Sequence, residues 1–327
     1  MLLSAHSVGA SPLTVTLERI RPAVFFRNTQ IKENSAMKLT KTIKVFLLTT
    51  VLILTWAPLN AQQGDVRIFN TVKQKLAEGK QVVGGTIDIP DADIYCAMAN
   101  SGFDFMWIEM QHSPLSYSQV ADMIWACKDA PAIPFIRIPT ATEGDIQKAT
   151  DIGALGIIVP MVDSIEEIED AVTYAHYPPM GKRSQGGGQY SAIWGRDYRQ
   201  AANENIMIVA MIEQPSGVEI IEQVANTPGV DIVFIASSDL GSFTGKSQGD
   251  PEYEALVSRI KDTTLEAGLF VGGPLAWMQS RDGYAFFQGP SQGSLIRSGT
   301  RVTLENADPC RYLPSGVAPV AGEDPCP

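Results

Sequence analysis

"IPFIRIPTATEGDIQKATDIGALGIIVPMV", residues 133–162, decides the fold. It opens on a short apolar run, "IPFIRIP", of the kind that forms a strand buried on both faces. "TEGDIQKATDIG" follows, a polar stretch with helical character that ends at Gly153. "LGIIVPMV" then returns to the apolar pattern. Strand, helix and strand within one such segment make a parallel βαβ unit, because parallel strands need a crossover of this length.

The same alternation extends in both directions. Upstream lie "VVGGTIDI" (82–89) and "FDFMWIEM" (103–110), with "DADIYCAMANSG" and "SYSQVADMIWACKDA" as their helices. Downstream, "SIEEIEDAVTYA" follows the fourth strand. "IMIVAMIE" (206–213) precedes "SGVEIIEQVANT", and "VDIVFIASS" (230–238) precedes "DPEYEALVSRIKDTTLEAG". "LFVGGP" and "YAFFQGP" complete the set before a last helix near 291–305. Eight strand–helix units in this span predict an α/β fold, a (β/α)8 TIM barrel of about 250 residues or slightly less. A doubly wound open sheet is the competing reading. Its first strand–helix turn, "GGTIDIPDAD", carries no GxGxxG fingerprint.

The flanks read differently. Residues 37–61, "MKLTKTIKVFLLTTVLILTWAPLNA", combine Lys38, Lys41 and Lys44, an apolar stretch and a small residue, Ala61, at the cleavage point. That is the layout of a secretory signal peptide, and it implies a periplasmic or secreted protein with no membrane association after cleavage. An uncleaved anchor is the alternative. Residues 1–36 carry no periodic pattern and read as an extension upstream of a true start at Met37. Residues 62–81 read as a lead-in helix, 82–305 as the barrel, and 306–327 as a Cys-containing tail. The whole chain has a net charge of −11, with 25 Lys/Arg against 36 Asp/Glu. Without residues 1–61 the balance is 18 against 34, which excludes nucleic acid as a partner. Export permits a disulfide between Cys310 and Cys326. Cys96 and Cys127 fall on successive helices, as buried thiols or as a bridge.

A barrel of this kind places its chemistry at the carboxyl ends of the strands. Those ends carry Glu109, Gln111 and His112 after the second strand, Arg137 in the third, Glu213 after the fifth and Asp239 after the sixth. Two neighbouring carboxylates repel, and a hard divalent cation removes the conflict. Glu213 and Asp239 therefore read as ligands for Mg2+ or Mn2+; separately, they read as a surface residue and a helix cap. A charged Arg137 inside an apolar strand suits a carboxylate or a developing enolate oxygen, or an ion pair with Glu109 or Asp151. His112 exchanges protons near neutral pH. His176 reads as structural. "RSQGGGQY" (183–190) reads either as a cover over an anionic substrate, through Arg183 and backbone N–H groups, or as a linker within the long connection 176–205.

At these residues the sequence resembles the HpcH/HpaI aldolase/citrate lyase family, in particular its metal-dependent class II pyruvate aldolases. The likeness covers about residues 78–305. It rests on "SGFDFMWIEMQHSPLS", "IPFIRIP", "DIGALGIIVPMV", "YPPMGKRSQGGGQ", "MIEQPSGVE" and "VDIVFIASSDL". The resemblance implies a barrel of the phosphoenolpyruvate/pyruvate-domain type in a homo-oligomer, a trimer or hexamer, with its last helix exchanged between subunits. It implies Glu213 and Asp239 as metal ligands, for Mg2+, Mn2+ or Co2+. It further implies Arg137 as the pyruvate and enolate ligand, His112 in the acid/base apparatus, and Asp151 acting near a neighbouring subunit's histidine. Ala236, Ser237 and Ser238 match a segment that contacts the substrate carboxylate, and Gln189 joins them as a substrate-binding residue. The implied reaction is aldol cleavage of a 4-hydroxy-2-oxo acid to pyruvate and an aldehyde. The competing functions are an acyl-CoA lyase or oxaloacetate-type decarboxylase on the same site, and an exported oxo-acid-binding protein without turnover. The family's Asp-Gly-Glu-His tetrad is replaced here by Glu109-Met110-Gln111-His112, and its Gly-Pro before the "DL" pair by Ala236-Ser237.

Overall fold

A computed structural model describes residues 66–307. Eight strands close in sequence order into a parallel barrel. They are β1 Val82–Ile87, β2 Phe105–Glu109, β3 Ile133–Arg137, β4 Gly156–Val159, β5 Met207–Ile212, β6 Ile232–Ile235, β7 Phe270–Pro274 and β8 Tyr284–Ser291. The open-sheet alternative is excluded by the pairing of β1 with β8. Every residue of β2, β3, β4, β5 and β6 is buried, as the continuous apolar runs require when helices cover the outside.

The interior is filled by stacked aromatic side chains. Phe286 of β8 lies 4.4 Å from Phe105 and 5.8 Å from Phe135, centroid to centroid, and Trp107 lies 5.1 Å from Phe234. Fully burying a side chain of this size contributes about 1.5–3 kcal/mol. Two glycines make the room. A Cβ on Gly84 would lie 2.2 Å from the Phe105 ring, and one on Gly156 1.9 Å from the Phe135 ring.

The lead-in segment forms a helix over a shorter range than expected, α1 Thr71–Ala77, started by the Asn70 side chain accepting from the Lys73 N–H. It is tied to the amino ends of the strands. Lys75 pairs with Asp104 before β2, and Lys73 lies 3.6 Å from Asp231 before β6. The barrel helices follow: α2 Ala92–Ala99, α3 Tyr117–Ala126, α4 Glu143–Asp151 and α5 Ile165–Ala175. Side-chain caps at Asp91, Ser116 and Thr142 satisfy the first free N–H groups of α2, α3 and α4.

The long connection 176–205 holds two short helices, α6 Tyr190–Trp194 and α7 Tyr198–Asn205. Downstream of β5, "SGVEIIEQVANT" splits into α8 Pro215–Glu219 and α9 Ile221–Ala225. The sixth strand ends at Ile235, and the residues that read as its end enter α10 Ser237–Thr244. The barrel ends with α11 Pro251–Glu266, a 3-10 turn at Leu275–Trp277, and α12 Gln292–Ala307.

Cys96 of α2 and Cys127, which caps α3, form a disulfide with Cα atoms 5.5 Å apart. This resolves the choice between thiols and a bridge. The signal segment 37–61, the extension 1–36 and the Cys310–Cys326 pair lie outside the described residues.

Candidate active site at the carboxyl rim

Strand register assembles the site. Glu109 and Arg137 are paired positions at the ends of β2 and β3. Both are buried, with Glu109 4% and Arg137 8% exposed. Arg137 Nε and Nη2 each lie 2.5 Å from Glu109 Oε2. The Trp107 indole N–H donates to the same oxygen at 3.3 Å, and the Arg137 guanidinium also sits over the Trp107 ring at 5.7 Å. Glu109 Oε1 accepts the backbone N–H of Gln111 at 2.8 Å and of His112 at 2.9 Å. One carboxylate thus orients the arginine and pins the turn that carries His112. The pair with Glu109 is real, and it leaves Nη1 turned toward Met211 Sδ at 3.9 Å, on the cavity side.

Glu213 follows β5 and is 1% exposed. Its Oε1 accepts the Met161 N–H at 3.2 Å, while Oε2 is buried with no hydrogen-bond partner. Met161 holds this position with a left-handed backbone, φ 54°, that costs a non-glycine residue about 1–3 kcal/mol. Burial, and then the charge of Asp239 beside it, push the Glu213 carboxyl up to about 7. Asp239 stands in the first turn of α10. The N–H groups of that turn lack intrahelical partners and carry the positive end of the helix dipole.

His112, Arg137 and Asp239 open on a cavity of about 200 Å3, with Glu109 and Glu213 buried beside them. His112, Arg137, Ala236, Ser237, Ser238 and Asp239 line it together with Met211, Phe234, Pro274 and Gln288. Its size suits a small acid. The α10 N-terminus and Arg137 favour a carboxylate or a developing enolate.

The donor set fits a divalent cation. Two oxygen ligands from adjacent carboxylates suit a hard ion, and the orphaned Glu213 Oε2 is the buried acceptor such an ion would satisfy. Among the described residues no group of three or more His, Cys, Asp or Glu side chains gathers to hold a metal. Two protein ligands leave coordination positions for substrate and water.

Three expected site residues lie elsewhere. Asp151 ends α4, Arg183 follows α5, and Gln189 precedes α6. All three sit where helices return to the amino ends of the strands, opposite the cavity. Asp151 accepts from Arg183 at 2.9 Å and from Gln147 at 2.7 Å, so it is not the partner of Arg137. Gln189 donates to the carbonyls of Ala121 and Ile152. The Gly-rich run packs against Asp151 and does not cover its own rim, because the connection from α5 to β5 belongs to the other end. His176 is buried, donates to the Val172 carbonyl at 2.8 Å, and has its pKa lowered by burial, in keeping with a structural role. Sequence reading gave no role to Gln288, at the end of the last apolar run, and missed the hub role of Glu109. Two-residue alternation from the inward Phe286 would have found the first.

The rim geometry can now be set beside known proteins. The profile of the HpcH/HpaI aldolase/citrate lyase family matches residues 90–271, which includes His112, Arg137, Glu213 and Asp239. The chain belongs to this family. HpcH/HpaI relatives include the hydroxypyruvate/pyruvate aldolase of Rhizorhabdus wittichii, 30% identical over 73% of this chain and 98% of that one. The 4-hydroxy-2-oxovalerate aldolase of Rhodococcus jostii is 33% identical over 59% of this chain and 75% of its own. Among solved structures, an HpcH/HpaI family protein from Burkholderia cenocepacia superposes with a TM-score of 0.67, at 28% identity. That match covers 73% of this chain and 99% of the other. HpcH/HpaI aldolases are generally divalent-metal dependent and act on small oxo acids.

Proposed function

We propose that this chain is a carbon–carbon lyase that cleaves a 4-hydroxy-2-oxo acid to pyruvate and an aldehyde, and runs the reverse condensation. The observation that carries this reading is the convergence of Arg137, the free α10 N-terminus and Asp239 on one cavity, with Glu213 buried beside Asp239. The relatives named as aldolases support it over a binding protein without turnover.

The substrate carboxylate sits at the first turn of α10, against the backbone of Ala236 to Ser238. Arg137 Nη1 points toward the 2-oxo group. His112 takes the proton of the C4 hydroxyl, the C3–C4 bond breaks, and the aldehyde leaves. The electron pair remains on the three-carbon fragment as pyruvate enolate. Arg137 stabilises that charge with donors already oriented by Glu109. Return of a proton to C3 gives pyruvate. Glu213 and Asp239 would hold Mg2+ or Mn2+, or Co2+, which when bound supplies Lewis-acid polarisation of the 2-oxo group.

Asp151 and Gln189 lie at the far end of the barrel, so any contact they make with substrate belongs to another copy of the chain. We place them at such an interface in a trimer or hexamer, to be checked by light scattering. Export into an oxidising compartment is supported by the Cys96–Cys127 disulfide, which cytosolic thiols would keep reduced. The test of the activity is pyruvate release from 4-hydroxy-2-oxovalerate with added Mn2+. Release that stops with chelator and resumes with metal fits the proposal. Release indifferent to chelator contradicts the cation's role, and no release contradicts the reaction.

A further inference from the structure

The wall of the cavity away from the acid-binding end is built by β7 and β8. Pro274 and Gln288 are paired positions there, and both line the cavity. Phe286 points inward and stacks on Phe105 in the barrel interior. Two residues on, Gln288 faces the same way and stands above that aromatic layer. Proline has no N–H and no polar side chain, so Gln288 is the hydrogen-bonding side chain of this wall. Among the described residues its amide has no partner, although it is half-buried. That contrasts with Gln189 and Gln292, whose amides are tied to backbone carbonyls and to Asp88.

The chemistry of the remaining lining narrows what this amide meets. Arg137 is the one Lys or Arg of the lining, and it is already turned to Glu109. Among the described residues no other Lys or Arg lines the cavity to meet an anionic aldehyde. An alkyl aldehyde bound against the amide would displace water from it and offer no hydrogen bond in return, which is costly. A hydroxyl group both donates and accepts, as the glutamine amide does.

Building on the aldolase reading above, we infer that Gln288 is a specificity residue that hydrogen-bonds a hydroxyl on the aldehyde half of the substrate, so that the enzyme prefers hydroxylated aldehydes over alkyl ones.

The test compares glycolaldehyde with propanal, which differ by a hydroxyl for a methyl. The condensation of each with pyruvate is followed for the wild type, Gln288→Met and Gln288→Leu. Proton exchange at pyruvate C3 in D2O, without any aldehyde, is followed in parallel. The wild type is expected to favour glycolaldehyde in kcat/KM. Gln288→Met should reduce that preference about tenfold, the worth of one neutral hydrogen bond. Thermal melting shows whether the variant folds, the preference is read as a ratio within each protein, and Gln288→Leu serves if Gln288→Met does not fold. An unchanged preference in a folded variant overturns the role of Gln288 alone. A wild type that exchanges C3 but prefers propanal overturns the hydroxyl reading. A wild type that does not exchange C3 overturns the aldolase reading on which this one stands.

Discussion

Consider the substitution Glu109→Gln. It keeps the shape of the side chain and removes its charge. The Glu109 and Arg137 side chains are 6% and 9% exposed, so water cannot replace the lost partner. Breaking a buried ion pair from one side costs about 3–5 kcal/mol, mostly because the other charge is left uncompensated. An amide also cannot accept with both ends, so either the Arg137 contacts or the N–H groups of Gln111 and His112 lose their acceptor. We expect a loss near the middle of that range, about 4 kcal/mol. For a domain of this size that corresponds to a melting temperature about 8–16 °C lower. Calorimetry and urea unfolding measure it. Adding Arg137→Met to Glu109→Gln removes the stranded charge and should bring stability back to within about 2 kcal/mol of the wild type. Activity should not return. Glu109→Gln alone should cut kcat/KM about 100-fold, the scale of an ångström-level misplacement of Arg137 and His112. A melting shift below about 3 °C for Glu109→Gln would refute the reasoning. So would a double variant less stable than the single one, since that outcome assigns the loss to packing and not to charge.

The remaining predictions concern other parts of the molecule. The Glu213 carboxyl, raised to about 7, must lose its proton to take a cation. Mn2+ affinity, measured calorimetrically, should therefore fall about tenfold per pH unit below 7 and level off above it; a flat profile from pH 5 to 8 contradicts this. Because that folded-state value lies above the ordinary 4.5, the metal-free protein binds more protons folded than unfolded in this window. Its stability should fall as pH rises from 4.5 through 7, and urea titrations across that range check the sign. Removing the Cys96–Cys127 bridge, which spans 31 residues, should cost about 3.5 kcal/mol, measured by urea unfolding of Cys96→Ser/Cys127→Ser. His112→Asn should lower kcat by about 100-fold or more with Mn2+ affinity unchanged; a parallel loss of metal binding would show that His112 acts on the site's structure.

The barrel was legible because β-type apolar runs and polar helical stretches alternate from Val82 to Ser291, with the connection 176–205 as the one long break. Buried parallel strands have no polar face to blur the pattern. The rim was legible because the carboxyl ends of those runs carry Glu109, Arg137, Glu213 and Asp239, while the charges at the amino ends, Asp104 and Asp231, stand ahead of the apolar residues. Short helices were less legible. "SSDLGSFT" contains a glycine and small polar residues of low helix propensity, yet it forms α10 because Leu240 is buried against the barrel. The same holds for α6 and α7, where buried Tyr190 and Tyr198 stack on each other at 4.3 Å and outweigh a glycine-rich context. Asp151 and Gln189 were placed by resemblance, which does not say which end of the barrel a residue occupies. That depends on where each helix stops. Glu109 looked like the polar end of a strand; its role as a hub needs register, which pairs it with Arg137.

The central claim is that Glu213 and Asp239 act together beside Arg137 in making and breaking a carbon–carbon bond next to an oxo acid. The most direct measurement is the rate of pyruvate release from a 4-hydroxy-2-oxo acid by Glu213→Gln at saturating Mn2+, set against the wild type under the same conditions. The variant keeps the size of the buried side chain and removes one anionic ligand. The account predicts a wild type that releases pyruvate and a folded variant that does so at least about 100-fold more slowly. Equal rates would contradict it.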